Sequence, residues 1–142
     1  MLLPAADDDS REFWAWCAKG QLRMQRCAAC GRWRFPPRPM CPSCRSFTAT
    51  WERVSGRGRI WSYVIAHPPL LPWYAEQAPY NVIVVTLDED PTLRMVGNLV
   101  AAPDGRLDEI DPHSIEIGEP VEAVFLPIDE GLALPRWVRV TR

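Results

Sequence analysis

The sequence predicts a mainly β protein, with an N-terminal helical arm followed by a zinc ribbon and a five-stranded barrel of the OB type. Three observations lead to this class. Four of the five cysteines form two C-x2-C pairs, five later segments are rich in β-branched and aromatic residues, and no second segment has the length of a covering helix. A sheet without covering helices closes on itself, and five short strands fit an OB barrel. A chain of 142 residues supports one main hydrophobic core.

Residues 1–20 are predicted to form a tail and a helix. Asp9 and Glu12 stand three residues apart ahead of an apolar run, as an N-cap and its reciprocal glutamate do, and Gly20 can end the helix. We therefore expect a helix over residues 10–19. Its apolar face must pack on the rest of the molecule, because ten residues are too few for a stable isolated helix.

Residues 21–55 are predicted to form the zinc ribbon. Its ligands are the four paired cysteines, Cys27, Cys30, Cys41 and Cys44. Two residues between ligands let a tight turn aim both sulfurs at one ion, and two such turns complete a tetrahedron. Four thiolates fill every coordination position of Zn2+, so we expect a structural ion with no position for water or substrate. The fifth cysteine, Cys17, is expected to be a small core residue on the helix face that carries Phe13.

Other interpretations of the paired cysteines are disulfides, redox-active pairs and unligated core cysteines. Two redox pairs would lack the βαβ context in which such motifs occur, and disulfides conflict with a reducing compartment. The chain start lacks the apolar run of a signal peptide, and no stretch approaches the roughly 20 apolar residues of a membrane span. We expect a cytoplasmic protein that does not enter the membrane.

Charge is distributed unevenly around the net value of −2. Residues 19–59 contain ten basic side chains and one acid, Glu52, whereas residues 60–142 contain five arginines and thirteen acids. A positive ribbon is expected to face something negative, such as nucleic-acid phosphates, a phosphorylated cofactor like coenzyme A, or an acidic protein surface.

Residues 56–142 are predicted to form the barrel. The candidate strands are residues 59–67, 80–87, 93–100, 121–126 and 134–141. Between the first two lies PPLLPWYAEQAP, residues 68–79, which is too rich in proline for a helix or a central strand. It carries four large apolar residues, so we do not expect it to lie bare in water. Residues 101–120 are acidic and are predicted to be a solvated connection.

The motifs of common catalytic sites are missing from the sequence. It has no G-x-S-x-G, P-loop or complete G-x-G-x-x-G, and S-G-R-G-R at 55–59 is interpreted as the turn from ribbon to barrel. His67 and His113 have no evident nucleophile or metal partner, and the acidic run at 88–90 is interpreted as a hairpin turn. We predict no catalytic residue and assign no cofactor-binding residue beyond the metal ligands.

Binding of single-stranded nucleic acid is the alternative function. On the first barrel strand Arg59, Trp61 and Tyr63 are predicted to share a face, and exposed aromatics beside basic residues would form a stacking platform. The second strand argues against it, because Val82 and Val84 make one face apolar and the opposite face is apolar too. Such a barrel suits burial against another protein, and its acidic balance repels phosphates.

An ordered set of motifs resembles a known family. The motifs are F-W at 13–14, G-x-L at 20–22, the two C-x-x-C pairs with F-P-P-R between them, C-P-S-C, W-x-x-V-S-G-x-G at 51–58, W-S-Y-V-I-A-H at 61–67, P-Y at 79–80, G-N-L at 97–99 and L-P-R at 134–136. From about residue 10 to 140 the chain is similar to the zinc-ribbon plus OB-fold proteins long catalogued as a domain of unknown function.

This resemblance implies a helical arm, a rubredoxin-like ribbon, an OB barrel and a role with acyl-CoA. Members of the family accompany thiolase-like enzymes, including thiolases, hydroxymethylglutaryl-CoA-forming systems and steroid side-chain aldolases, and some are fused to or paired with hot-dog-fold enoyl-CoA hydratases. The resemblance supplies the metal role for the four paired cysteines and no catalytic residue. The loop at 68–79 is the part least similar to the family.

The resulting expectation is a non-catalytic accessory subunit of a thiolase-like acyl-CoA enzyme, of the thiolase or steroid side-chain aldolase type, in a hetero-oligomer. Ribbon and helix would dock on the partner, and the barrel with residues 68–79 would shape the path of an acyl chain. Ribbon arginines would steer coenzyme A phosphates. A free-standing acyl-CoA carrier is a third interpretation.

Overall fold

The computed structural model describes residues 1–140. Its helices are α1 (Arg11–Ala18) and α2 (Pro72–Ala75), with a 3-10 turn at Pro112–Ser114. The ribbon strands are β1 (Arg23–Cys27), β2 (Trp33–Arg34) and β3 (Ala49–Arg53), and the barrel strands are β4 (Arg57–Ala66), β5 (Tyr80–Leu87), β6 (Arg94–Gly97), β7 (Pro120–Asp129) and β8 (Leu132–Arg139). The sheet orders are β2-β1-β3 and β6-β5-β4-β7-β8, with every pair antiparallel. The predicted mainly β class, with its helical arm and five barrel strands, is confirmed.

Within this described range no helix combines the length and apolar character needed to cross a bilayer. The last strand was predicted to run to Thr141, which lies outside the described residues. The two sheets follow one another in the chain, as expected for a ribbon followed by a barrel. The domain limits of 1–20, 21–55 and 56–142 stay a prediction.

The start of α1 is capped two residues earlier than predicted. The carboxylate of Asp7 accepts from the backbone N–H of Ser10 at 2.8 Å, and the Ser10 hydroxyl accepts from the backbone N–H of Asp7 at 3.1 Å. These are the reciprocal bonds of a capping box. The predicted cap at Asp9 and Glu12 is wrong, because the reciprocal bonds join Asp7 and Ser10, and Ser10 is the residue that precedes the first turn of α1. Glu12 instead lies in the first turn, where a carboxylate is favoured by the helix dipole.

One continuous core joins the helix, the base of the ribbon and the barrel. From α1 it takes Phe13 and Cys17, which are 5% and 0% exposed. From the ribbon it takes Met24, and from the barrel residues such as Ile83 and Trp137. The expected core role of Cys17 is confirmed, and burial raises the pKa of its thiol to about 12.

Residues 98–100 explain why β6 is shorter than the predicted strand at 93–100. After Gly97 the chain leaves β5 and pairs in parallel with β8. The backbone N–H of Trp137 donates to the carbonyl of Asn98 at 3.0 Å, and the N–H of Val100 donates to the carbonyl of Trp137 at 2.8 Å. This short parallel contact brings the two edge strands together and nearly closes the barrel.

The side chain of Asn81 takes the place of the lost strand pairing. Its Oδ1 accepts from the backbone N–H of Leu99 at 2.6 Å, and its Nδ2 donates to the carbonyl of Leu99 at 2.9 Å. Asn81 is fully buried, and both polar atoms of its amide are bonded. A satisfied buried amide of this kind fixes one local geometry, so it holds the chain at the point where β6 changes partner.

A bulge in β4 changes which side chains face the core. Between Ile60 and Ser62 the register with β5 shifts, so Trp61 is 51% exposed while Tyr63 packs against the buried core. Val64, the next residue, is 62% exposed. The prediction that Trp61 and Tyr63 share a face is therefore wrong, because one extra residue reverses the alternation of a strand.

The loop at 68–79 contains one helical turn, α2, which the sequence analysis excluded on its proline content. Pro72 occupies the first turn of that helix, where its fixed φ fits and its missing N–H costs nothing. Trp73 and Tyr74 pack against a second apolar cluster around Tyr80 and Leu107. The expectation that this loop does not lie bare holds for Trp73 and Tyr74, which pack on their own barrel, whereas Leu71 is 55% exposed.

The junction between ribbon and barrel depends on Gly56 and Glu89. Gly56 has a φ of 78°, a conformation that favours glycine. The Glu89 carboxylate accepts from the backbone N–H of Ser55 at 2.7 Å, so the acidic run of the β5–β6 hairpin also ties down the junction. The interpretation of residues 55–59 as the turn into the barrel holds for residues 55–56, whereas residues 57–59 already belong to β4. Residues 101–120 are largely exposed, as predicted, but Leu107 and Ile115 anchor them in the interior.

Gly58 lies in β4 between β5 and β7, and we expect Gly58→Ala to destabilise the barrel. A Cβ there would lie 2.6 Å from Cγ1 of Val85 and even closer to the carbonyl of Thr86. Overpacking should lower the free energy of unfolding by about 2 kcal/mol or more, measured by urea denaturation. Gly131→Ala is the control, because its Cβ would meet no atom closer than 3.8 Å. Equal stability of both variants would contradict the tight packing of β4.

Candidate metal centre and docking surfaces

Two turns of matching geometry carry the paired cysteines. In the first, Gly31 has a φ of 75° and its N–H donates to the carbonyl of Cys27 at 3.0 Å. In the second, Arg45 has a φ of 66° and its N–H donates to the carbonyl of Cys41 at 2.9 Å. Glycine adopts this conformation without steric cost. The same conformation at Arg45 could not be predicted from the sequence, since arginine does not favour it.

The four sulfurs converge on one point. All four Sγ atoms lie within 4.8 Å of one another. Cys27 and Cys44 are separated by 3.5 Å between Sγ atoms, and Cys30 and Cys41 by 3.7 Å. A tetrahedron of thiolates at about 2.3 Å from Zn2+ has sulfur–sulfur edges of about 3.8 Å. The ribbon thus has four cysteines positioned to bind one metal ion, and such a donor set suits structural zinc.

The thiols differ in how readily they ionise. Backbone N–H groups, above all that of Cys44, lower the pKa of Cys41 to about 6. The N–H of Cys30 lowers the pKa of Cys27 below its ordinary value. The N–H of Ser46 acts in the same direction on Cys44, but the neighbouring Cys27 thiol, followed by burial, raises the pKa of Cys44 to about 11. The site therefore holds a thiolate at Cys41 before an ion arrives and, at Cys44, a thiol that must lose its proton.

Most of the positive charge of the ribbon is left without a carboxylate partner. In the part of the chain that the structure describes, one ion pair involves a basic residue of the ribbon, between Arg26 and Glu52 at 3.2 Å. Exposed arginines with no such pair surround the two turns: Arg32, Arg38 and Arg45. The same end of the molecule exposes Phe47 and Met40, at 73% and 41%. Basic and apolar groups together make this surface, called the ribbon tip here, suited to an acidic protein partner.

The outer face of the barrel is apolar and does not form the stacking platform of the nucleic-acid hypothesis. Trp61, Val64 and Val96 are 51%, 62% and 68% exposed, which confirms that the outside of the barrel is apolar on this side. The guanidinium of Arg94 already lies over the Trp61 ring, 4.1 Å from its centroid. Tyr63 packs against the core, so one partly covered tryptophan replaces the expected pair.

The two histidines and the acidic run at 88–90, for which no catalytic role was predicted, have the positions expected from the sequence. His67 and His113 are exposed, in agreement with their interpretation as solvent-facing. The acidic run forms the β5–β6 turn, where Asp90 accepts from the backbone N–H of Thr92 at 2.8 Å. Arg136, a charged side chain that was not predicted as a site residue, is only 7% exposed. An arginine inside the apolar strand LALPRWV was the signal that pointed to it.

Comparison with known families places both parts of this fold. Residues 14–49 match the model described as "ChsH2, rubredoxin-like zinc ribbon domain", and residues 51–126 match "ChsH2, C-terminal OB-fold domain". The chain belongs to the ChsH2 family. The predicted rubredoxin-like ribbon and OB barrel are thereby confirmed, and so is the resemblance stated from the motifs.

Relatives of this ChsH2-family chain differ in length. It is 38% identical over 110 residues to a "DUF35 domain-containing scaffold protein" of Methanothermobacter thermautotrophicus, covering 77% of this chain and 74% of that protein. It is 42% identical over 133 residues to a "Probable enoyl-CoA hydratase alpha subunit" of Thermomonospora curvata, covering 93% of this chain and 38% of that protein. A solved structure, "Ltp2-ChsH2(DUF35) aldolase", superposes with a TM-score of 0.78 at 40% identity, covering 98% of this chain and 100% of the matched chain.

Substitution of one sulfur should remove the metal. We expect the purified chain to contain one zinc ion, and Cys41→Ser to lose it and to unfold the ribbon, because the ion supplies much of the folding free energy of such a small unit. Metal content is measured by mass spectrometry and ribbon folding by NMR. The control is Cys17→Ala, which leaves the four converging sulfurs intact. Full zinc occupancy in Cys41→Ser would contradict the four-cysteine site.

Zinc binding should release protons near neutral pH. The pKa of Cys44, raised to about 11, keeps this thiol protonated in the metal-free chain, so its proton must leave when the thiolate binds the ion. The affinity for zinc therefore falls as the pH falls. Calorimetry at about pH 7 in buffers of different ionisation enthalpy counts the protons. Binding without proton release would show that the four thiols are already ionised or that Cys44 is not a ligand.

Proposed function

We propose that this chain is a non-catalytic accessory subunit of a thiolase-like acyl-CoA enzyme, of the thiolase or aldolase type. In this role it stabilises a hetero-oligomer and shapes the access of acyl-CoA, while the larger subunit carries the chemistry. One observation carries the proposal. The chain matches the whole length of a chain in the solved aldolase at 40% identity and a TM-score of 0.78. The relatives named as a scaffold protein and as a hydratase alpha subunit support it.

The geometry of the metal site supports an accessory role rather than a catalytic one. We assign Cys27, Cys30, Cys41 and Cys44 as the ligands of one Zn2+, on the convergence of their sulfurs within 4.8 Å. An ion held by four thiolates has no open position for substrate. It stabilises the ribbon without activating a water or a carbonyl group. None of the five cysteines forms a disulfide, which suits a reducing compartment, and we place the protein in the cytoplasm.

The exposed surfaces support docking through the ribbon tip. An exposed phenylalanine beside unpaired arginines combines the apolar anchor and the steering charge that protein interfaces use. Phe47, at 73% exposure, is the most exposed large apolar side chain of those named above. The loop at 68–79 is less available than its sequence suggested, since Trp73 and Tyr74 pack on their own barrel. The acyl path is then shaped by the outer barrel face around Trp61 and Val96.

Co-expression with a thiolase-like protein from the same cell tests this function. We expect a stable hetero-oligomer in native mass spectrometry. Phe47→Glu should weaken it by about tenfold or more, because an interface anchor contributes about 2 kcal/mol. The free energy of unfolding of the isolated variant should be unchanged, since the residue is exposed.

Leu71→Glu is the matched control. Leu71 is apolar and 55% exposed, but it lies on the loop at 68–79 and away from the ribbon tip in sequence and fold. We expect this variant to form the complex normally. Two separate components with the wild-type chain would overturn the accessory role, whereas equal loss in both variants would overturn only the assignment of the ribbon tip.

A further inference from the structure

A cavity of about 230 Å3 lies where α1, α2, the end of β6 and β8 meet. Its walls combine aromatic and aliphatic side chains with polar groups, and one charged side chain reaches it. The residues that matter here are Trp14, Trp73, Tyr74, Leu107, Leu134 and Arg136. None of them belongs to the metal site or to the ribbon tip. The cavity is therefore distinct from both, and it borders the outer barrel face at Val96.

Arg136 is bonded on one side only. Its Nη1 donates to the carbonyl of Gly105 at 2.7 Å and to that of Pro103 at 3.2 Å, which anchors the turn between them. Its Nε and Nη2 have no acceptor among residues 1–140. These two nitrogens form the edge of a guanidinium that binds a carboxylate through two parallel hydrogen bonds.

The charge of Arg136 is only partly balanced within the described chain. The residue is 7% exposed, and it forms no ion pair with a carboxylate of residues 1–140. Burial lowers its pKa, and the charge of Asp104 offsets this only in part. An arginine nevertheless stays protonated in proteins. A largely buried guanidinium with an open edge and no ion pair is incompletely compensated, so an anion that completes this edge would be bound favourably.

The surroundings select the kind of anion. One cation matches one negative charge, and the apolar walls favour an anion that carries a hydrocarbon body. Met1 and Leu2 lie at the mouth and are 40% and 67% exposed, with one hydrogen bond from the N–H of Leu2 to the hydroxyl of Tyr74 at 3.2 Å. They cover the mouth in part, and they show that apolar side chains are accommodated there.

We propose that this cavity binds a monocarboxylic acid of medium length, with its carboxylate on Nε and Nη2 of Arg136 and its hydrocarbon chain against Trp14, Trp73 and Leu134. The site takes the acid without covalent chemistry. It goes beyond the accessory role proposed above and does not depend on the partner subunit. Its failure would leave that role untouched, because complex formation is measured separately.

Titration of the full-length chain with sodium octanoate tests the proposal. We expect saturable binding by calorimetry and NMR at submillimolar to millimolar concentration. Octanamide, which has the same shape and no charge, should bind about tenfold more weakly, since a hydrogen bond to a charged group contributes about 1.5 kcal/mol or more. Inorganic phosphate should not compete at the same concentration.

Variants locate the binding. Arg136→Gln should remove the preference for octanoate over octanamide. Leu134→Trp fills the cavity, retains the arginine and should abolish binding of both probes. Arg94→Gln is the matched control, because Arg94 lies over Trp61 on the barrel face and does not line the cavity. It should bind octanoate as the wild-type chain does.

Several outcomes would overturn the site. They are the absence of saturable octanoate binding to the wild-type chain, equal affinity for octanamide, effective competition by phosphate, and normal octanoate binding by Leu134→Trp. The wild-type comparison of octanoate with octanamide requires no substitution. It therefore decides the question even if Arg136→Gln fails to fold.

Discussion

The closure of the barrel at Trp137 is the constraint on which the rest of the structure depends. Its backbone bonds on both sides to the segment that follows β6, and its indole is completely buried. Gly97 makes room for it, because a Cβ there would lie 2.8 Å from the Trp137 ring. Closure also sets the alternation along β8. Since Trp137 points into the core, Arg136 must point out of it, and so it reaches the cavity at the barrel end.

The helix α1, the base of the ribbon and the barrel share one hydrophobic core, which the closure of the barrel completes. The outer part of the ribbon is stabilised in a different way. Its shortest strand, β2, has two residues, and two of its four paired cysteines are exposed. Hydrophobic burial contributes little there, so convergent thiolates and their ion must supply the stability. This division explains why the ribbon can present charged and apolar groups at its surface: its fold does not depend on burying them.

The surfaces follow from local backbone details. The bulge in β4 turns Trp61 and Val64 outward and Tyr63 inward. This produces an apolar face suited to a protein partner and removes the pair of stacked aromatics that a nucleic-acid reader needs. Trp73 and Tyr74 of the proline-rich loop pack on their own barrel. Both results shift the expected contact surface away from the loop, toward the ribbon tip and the outer barrel face.

The sequence by itself determined the fold class, the four-cysteine pattern and the family, because ligand spacing, strand composition and ordered motifs are local properties of the chain. It also indicated the core role of Cys17. The tertiary structure alone decided the reversed face after Ile60, the change of partner after Gly97, the helical turn at Pro72 and the buried position of Arg136. Each of these depends on which distant segment a residue meets, and one inserted residue or one side-chain amide is enough to change it.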